Sequence, residues 1–177
     1  ESAKNFVSSQ NFAVVGFALD NLSGLQALQA KLVLGGFFGV TVGADGRYSL
    51  PTGFALDGTQ EGSHTLTLVA ADAAGNVSTP VTYVFTLDTQ APTITLEGLS
   101  DGASINVASL LKGIADGTSS SIAALAYQID GGGQVPVAFD RGTGAFSQLL
   151  DLSHVGVGSH QLTILATDSA GFTTAQT

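Results

Sequence analysis

The sequence predicts an all-β protein made of two tandem antiparallel β-sandwich domains, and three observations predict it. The first is an internal repeat. Gly62-Ser63-His64-Thr65-Leu66-Thr67-Leu68-Val69-Ala70-Ala71-Asp72 is answered by Gly158-Ser159-His160-Gln161-Leu162-Thr163-Ile164-Leu165-Ala166-Thr167-Asp168, an offset of 96 residues that also lays Ala30 to Gly36 on Ala126 to Gly132. A unit of that length is far above helical-solenoid periods and suits a small β-sandwich. The second is alternation with period two: Leu66, Leu68 and Ala70 share one face, as do Leu162, Ile164 and Ala166, with Thr65, Thr67 and Thr163 opposite. The third is composition: 44% hydrophobic and 11% charged residues place the 177-residue chain among folding sequences rather than disordered ones.

Taken along the chain, the first domain occupies residues 1–90. The repeat offset places the partner of its first strand at or before residue 1, so that strand is expected to be largely missing. Leu22-Ser23-Gly24-Leu25-Gln26-Ala27-Leu28 carries leucines three apart, but Gly24 makes a helix marginal, and a loop with at most one turn is expected. Val81 to Leu87 reads as a closing strand. Leu87-Asp88-Thr89-Gln90-Ala91-Pro92 is the joint, short and stiffened by Pro92, which cannot donate to a ladder and holds its predecessor extended. The second domain, 91–177, reads as strands A 93–97, B 105–115, C 123–129, C′ 135–139, E 145–152, F 160–167 and G from 172, with G truncated at Thr177. Both ends are expected to leave sheet edges able to pair with another chain.

Composition also narrows function. With no Cys, the chain has no disulfide scaffold, thiolate metal site or cysteine nucleophile. Fourteen acids against five bases give a net charge of -9, which repels nucleic acid and anionic membrane surfaces. No apolar run approaches the ~20 residues of a membrane span, and no secretory leader is visible at Glu1-Ser2-Ala3-Lys4. No nucleophile elbow or phosphate loop occurs, and Gly131-Gly132-Gly133 is a hairpin with no helix behind it, so no catalytic residues are assigned and an enzyme is the least supported class. His64 and His160 stand at strand starts on the parity of the buried aliphatic residues and read as structural. Lys31 and Lys112 are not repeat equivalents and read as surface lysines rather than cross-linking ones. Of Phe37 and Phe38, one is expected in the core and one partly exposed.

The pattern Gly-x-His-x-Leu-x-Leu-x-Ala-x-Asp-Ala-Ala-Gly-Asn over residues 62–76, followed by a last strand and Asp88-x-x-Ala91-Pro92, resembles the bacterial immunoglobulin-like (Big-type) repeats of large surface adhesins and other exported multidomain proteins. That resemblance implies immunoglobulin-like or fibronectin-type-III-like sandwiches, an extracellular place on the bacterial surface or in secretion, and calcium bound at domain junctions. Sandwich topology makes the calcium expectation concrete. The B–C, C′–E and F–G loops share the end that faces the preceding domain, which brings Asp88 toward Asp116, Asp168 and Asp140, hard oxygen ligands of the kind calcium takes. Asp20, Asp72 and Asn76 form the corresponding incomplete half-site of the first copy. The same Asp residues also suit hairpin turns, where Asp bonds local backbone and Gly75 or Gly171 supplies a positive φ. Either role accounts for the repeat. The function expected is a structural and adhesion module, tandem extender domains of a biofilm-type cell-surface adhesin stiffened by calcium, its partners being neighbouring repeats and, through other domains, a host or matrix surface. The alternatives are a ligand-binding module for carbohydrate or host protein and an accessory domain of a secreted enzyme.

Overall fold

The structure, a computed structural model, describes residues 4–32 and 35–177. Its regular structure consists of strands, and the chain divides into two compact units, Glu1–Thr89 and Gln90–Thr177. The fold is all-β, two tandem immunoglobulin-like sandwiches.

In the first unit the strands are β1 Lys4–Ser8, β2 Ala13–Phe17, β3 Leu25–Leu32, β4 Phe38–Val40, β5 Arg47–Pro51, β6 Gly62–Asp72 and β7 Val81–Leu87. One sheet runs β1-β7-β6-β3-β4 and the other pairs β2 with β5. The alternation read in β6 is realised: Leu66 and Leu68 are buried, and they pack with Val14 of β2 and Ala30 of β3, joining the two sheets across one core. A second cluster, Phe54, Phe85 and Leu87 with the ring of Phe12, fills the end near the start of β6. Within it Phe12 meets Phe85 edge-on, with ring centres 4.9 Å apart, a geometry that favours the quadrupoles of both rings.

The second unit contains β8 Thr93–Leu96, β9 Leu110–Asp116, β10 Ile122–Ile129, β11 Val135–Pro136, β12 Ala145–Leu149, β13 Leu162–Asp168 and β14 Thr173–Gln176. Its sheets run β11-β10-β13-β14 and β12-β9-β8. The burial of β9 alternates strictly, and Leu111, Ala115 and Phe146 of one sheet meet Leu125, Tyr127, Ile164 and Ala166 of the other. Tyr127 is buried with its hydroxyl accepting the Asp151 amide at 2.7 Å, so its polar tip is satisfied inside the core.

Four local expectations need correction. Leu25 to Leu28 belong to strand β3, because Leu28 and Ala30 alternate inward; a register shift between Leu25 and Ala27 breaks the period-two pattern where the leucines looked helical. Strand B begins at Leu110, since 105–109 form a turn closed by Ser109 N donating to the Asn106 carbonyl. Strand C′ shrinks to Val135–Pro136, with Pro136 lacking the N–H that would extend the ladder. Phe37 and Phe38 are both half-exposed, because β4 is a three-residue edge strand too short to seat either ring. At the start of the chain, Lys4–Ser8 runs parallel to β7, a pairing with no counterpart in the strand order read from sequence. Of the segment 30–36 matched to 126–132, residues 33 and 34 lie outside the described residues.

Candidate functional site

The acidic residues singled out in the sequence stand at strand ends. In the first unit Asp72 closes β6 with a turn in which its amide donates to the Asn76 carbonyl at 3.0 Å and Gly75, at φ 89°, turns the chain back. Asp72 Oδ1 accepts the Asn76 amide and Asp72 Oδ2 accepts Asn76 Nδ2, both at 2.8 Å. Asp20 lies at the same end: its Oδ2 accepts the amides of Leu22 at 3.0 Å and Gly24 at 2.8 Å, and the Gly24 carbonyl accepts the Ala73 amide. The structure therefore brings Asp20, Asp72 and Asn76 together. The Leu22 amide holds the Asp20 carboxyl below its ordinary range, and the Asn76 side chain does the same for Asp72.

The second unit repeats the turn with one changed residue. Asp168 closes β13, its amide donates to the Phe172 carbonyl at 3.0 Å, and Gly171 takes φ 95°. Asp168 Oδ1 accepts the amides of Ala170 and Phe172, each at 2.9 Å. The second carboxylate oxygen differs. Phe172 stands where the first copy has Asn76 and has no side-chain donor, so Asp168 Oδ2 is buried without a hydrogen-bond partner in a residue 2% exposed. Leaving such a group unmatched costs about 1 to 3 kcal/mol, and more when it is charged.

Asp116 and Asp140 occupy neighbouring turns of this unit. Asp116 Oδ1 accepts the Thr118 amide at 2.9 Å; Asp140 Oδ1 accepts the amides of Gly142 and Thr143 and the Thr143 hydroxyl, which holds the Asp140 carboxyl below its ordinary range. Backbone bonds gather the three turns at one end: Ser169 N donates to the Ser121 carbonyl and Ala115 N to the Gly144 carbonyl. Asp88 is fully buried after β7, its amide donating to the Ser8 carbonyl at 3.0 Å. Among the described residues no group of three or more His, Asp or Glu side chains is placed to hold a metal ion.

The histidines diverge despite their shared repeat position. His64 is buried beside Phe54 and Phe85, with Nε2 donating to the Gln60 carbonyl at 2.7 Å. His160 is partly exposed and precedes its strand, which starts at Leu162, so the parity argument does not reach it. Its Nε2 lies 3.1 Å from the Gly156 carbonyl and its Nδ1 2.6 Å from Asp130 Oδ2, while Asp130 Oδ1 accepts the Gln161 amide. The hydrogen bond that His160 donates to Asp130 raises the His160 pKa above its ordinary value. Sequence reasoning missed this pair; its one signal is that the repeat sets Asp130 against Leu34 while keeping the histidine.

Strand order and turn chemistry together define the class: paired fibronectin-type-III-like and immunoglobulin-like sandwiches. No model of a known protein family matches the chain, and no curated protein does. Solved structures similar to it include fibronectin(III)-like modules of CbhA from Clostridium thermocellum (15% identity, 99% of this chain and 86% of that one, TM-score 0.42). The D00-D0 domain of intimin is similar at 14% identity over 99% of this chain and 92% of that one, TM-score 0.42. A 1.5-MDa bacterial ice-binding adhesin is similar at 16% identity over 98% of this chain and 60% of that one, TM-score 0.40.

Proposed function

We propose that this chain is a pair of tandem extender modules from the stalk of an exported bacterial adhesin, and that calcium binds at the acidic turns of its second unit. The observation that carries the extender reading is the duplication. One sandwich plan is used twice within 177 residues, and in both copies the loops at the acidic end close on themselves through Asp-to-backbone bonds. A module built this way contributes length and a defined loop end. In the stalk its partners are neighbouring repeats, and its place is extracellular.

The calcium part is supported by Asp168. Its buried, unmatched Oδ2 is the kind of oxygen a hard cation accepts, calcium taking about six to eight such ligands. Asp116 and Asp140, on neighbouring turns of the same unit, are the further acids of the proposal. A bound calcium would supply the neutralising charge that five basic residues do not.

Thermal melts of the whole chain in millimolar calcium and in chelator test it. At calcium a hundredfold above its dissociation constant the second unit gains ~2.7 kcal/mol, roughly a 10 to 20 °C rise in midpoint. Asp168→Ala removes the rise. Phe172→Asn, which supplies the amide donor that Asn76 gives Asp72, raises the midpoint in chelator and shrinks the calcium increment. Identical melts in both buffers for the unaltered chain would leave these residues as turn formers only.

A further inference from the structure

The two sandwiches fill the space between their sheets differently at the loop end. Strand register matches them residue by residue. Leu25 lies opposite Asp72 as Ile122 lies opposite Asp168, and Leu28 lies opposite Ala70 as Leu125 lies opposite Ala166. Val42 bridges Tyr48 as Phe139 bridges Phe146. In the second unit Ile122 and Leu125 belong to the core, and the Phe139 ring packs against it. In the first unit their counterparts Leu25, Leu28 and Val42 line an open cleft of about 410 Å³, whose walls all come from the segment Ala18 to Gly46. A valine where the other copy has a phenylalanine leaves this room. The volume falls within the ~300 to 1,000 Å³ of small-molecule sites.

The walls indicate the chemistry of an occupant. Ala18, Leu25, Leu28 and Val42 give the cleft an aliphatic side, and among the described residues lining it Asp20 is the one ionisable side chain. The Leu22 amide, the Gly24 amide and the Ser23 hydroxyl all donate to Asp20 Oδ2, which leaves Oδ1 for a ligand. Asp72 adds negative potential beside Asp20, while both of its own oxygens are taken by Asn76. Arg47, the nearest base in sequence, is committed to Asp45 at 3.3 Å and to the Phe17 ring. The charge that complements this cleft is therefore positive. A calcium ion takes about six to eight oxygens, and one carboxylate oxygen falls far short of that. A guanidinium engages a carboxylate best through both oxygens, of which Oδ2 is already saturated. An ammonium is a compact charge that a single oxygen can hold, and the aliphatic wall would cover a run of methylenes behind it.

We propose that the first unit binds a primary alkylammonium ion in this cleft, its charge on Asp20 Oδ1 and its methylenes against Leu25, Leu28 and Val42. The same chemistry comes as a free aliphatic amine or as the lysine side chain of another protein, and each source has its own probe.

Amide-resolved NMR titration of the whole chain tests this, with pentylammonium, with lysine blocked at both backbone ends and, as the uncharged control, with pentanol. Pentylammonium should shift the amides of Gln26, Ala27 and Ala44 to saturation and leave those of Ile122 and Phe139 in place. Pentanol should bind at least about tenfold more weakly, the worth of one hydrogen bond to a charged group. This comparison needs no variant. Blocked lysine binding as well as pentylammonium assigns the cleft to a lysine of another protein, and binding of pentylammonium alone assigns it to a free amine. Val42→Phe, which installs the residue of the second copy, should abolish the shifts without lowering the melting midpoint. Asp20→Asn keeps an oxygen for the Leu22 and Gly24 amides and should erase the preference for pentylammonium over pentanol. The absence of saturable shifts at tens of millimolar pentylammonium overturns the proposal. So do equal affinities for pentylammonium and pentanol, or shifts that survive Val42→Phe.

Discussion

His160 and Asp130 show how one residue's setting decides its chemistry. A backbone carbonyl and a carboxylate can only accept, so with Gly156 O on one side and Asp130 Oδ2 on the other, both ring nitrogens are donors only when the imidazole is protonated. The pKa of His160 is raised, chiefly by Asp130, and that of Asp130 is lowered, chiefly by the Gln161 amide and then by His160. A raised folded value contributes stability present in full below the histidine's ordinary pKa and lost as pH climbs through the folded value. The lowered carboxyl contributes above its ordinary value and loses that as pH falls through its folded one. The pair therefore supports the second unit from weakly acidic to neutral pH. Melts at pH 6 and pH 8.5 should show a fall in the second unit's midpoint that His160→Gln abolishes, while a fall of equal size in the variant would place its origin elsewhere. The exposed setting keeps the effect small. His64, identical by repeat, lies among aromatic rings without an acidic partner on its second nitrogen, so repeat position alone did not distinguish the two.

Strands whose inward residues alternate over their central stretch were legible: β6, β13 and the core of β9 follow the period-two pattern, as does β10 from Leu125 onward, past a register shift between Ile122 and Ala124, because burying one face of a pleated strand requires it. Those that failed had a reason of their own. A register shift disguised β3, and β1 earns its place by a parallel pairing with β7 that leaves no mark on a five-residue segment. Turn chemistry was legible through Asp and Gly, whereas the unmatched oxygen of Asp168 was not, since it depends on which side chain the turn brings over the carboxylate. Packing between strands carries an expectation of the same kind. A Cβ on Gly113 would stand 2.1 Å from the Thr95 carbonyl oxygen and 2.9 Å from Phe146 Cζ, so this glycine is what lets β8 approach β9. Gly113→Ala should cost the second unit about 1 to 3 kcal/mol, the range for overfilling a packed site. Hydrogen exchange should show the loss concentrated in Thr93–Leu96; loss spread evenly over β10 and β13 would assign the glycine another role.

At the scale of the whole molecule, duplication has produced two units with different interiors. The first gathers aromatic rings, Phe12, Phe54 and Phe85, at one end of its aliphatic core, and the second builds one continuous cluster from Leu111 to Ala166 around Tyr127. Each cluster draws only on residues of its own unit. An extender built from such units keeps its load-carrying segments independent: damage to one core leaves the other folded. Calorimetry of the whole chain should therefore resolve two transitions. Phe85→Ala, emptying a site 1% exposed, should lower only the first unit's transition by about 3 to 5 kcal/mol, and Leu111→Ala, at 0% exposure, only the second's by about 2 to 5 kcal/mol. A single transition that both substitutions shift equally would mean that the units fold as one body. That outcome would remove the independence on which the extender reading depends, and it would make the effects of calcium and of His160 properties of the whole chain rather than of its second half.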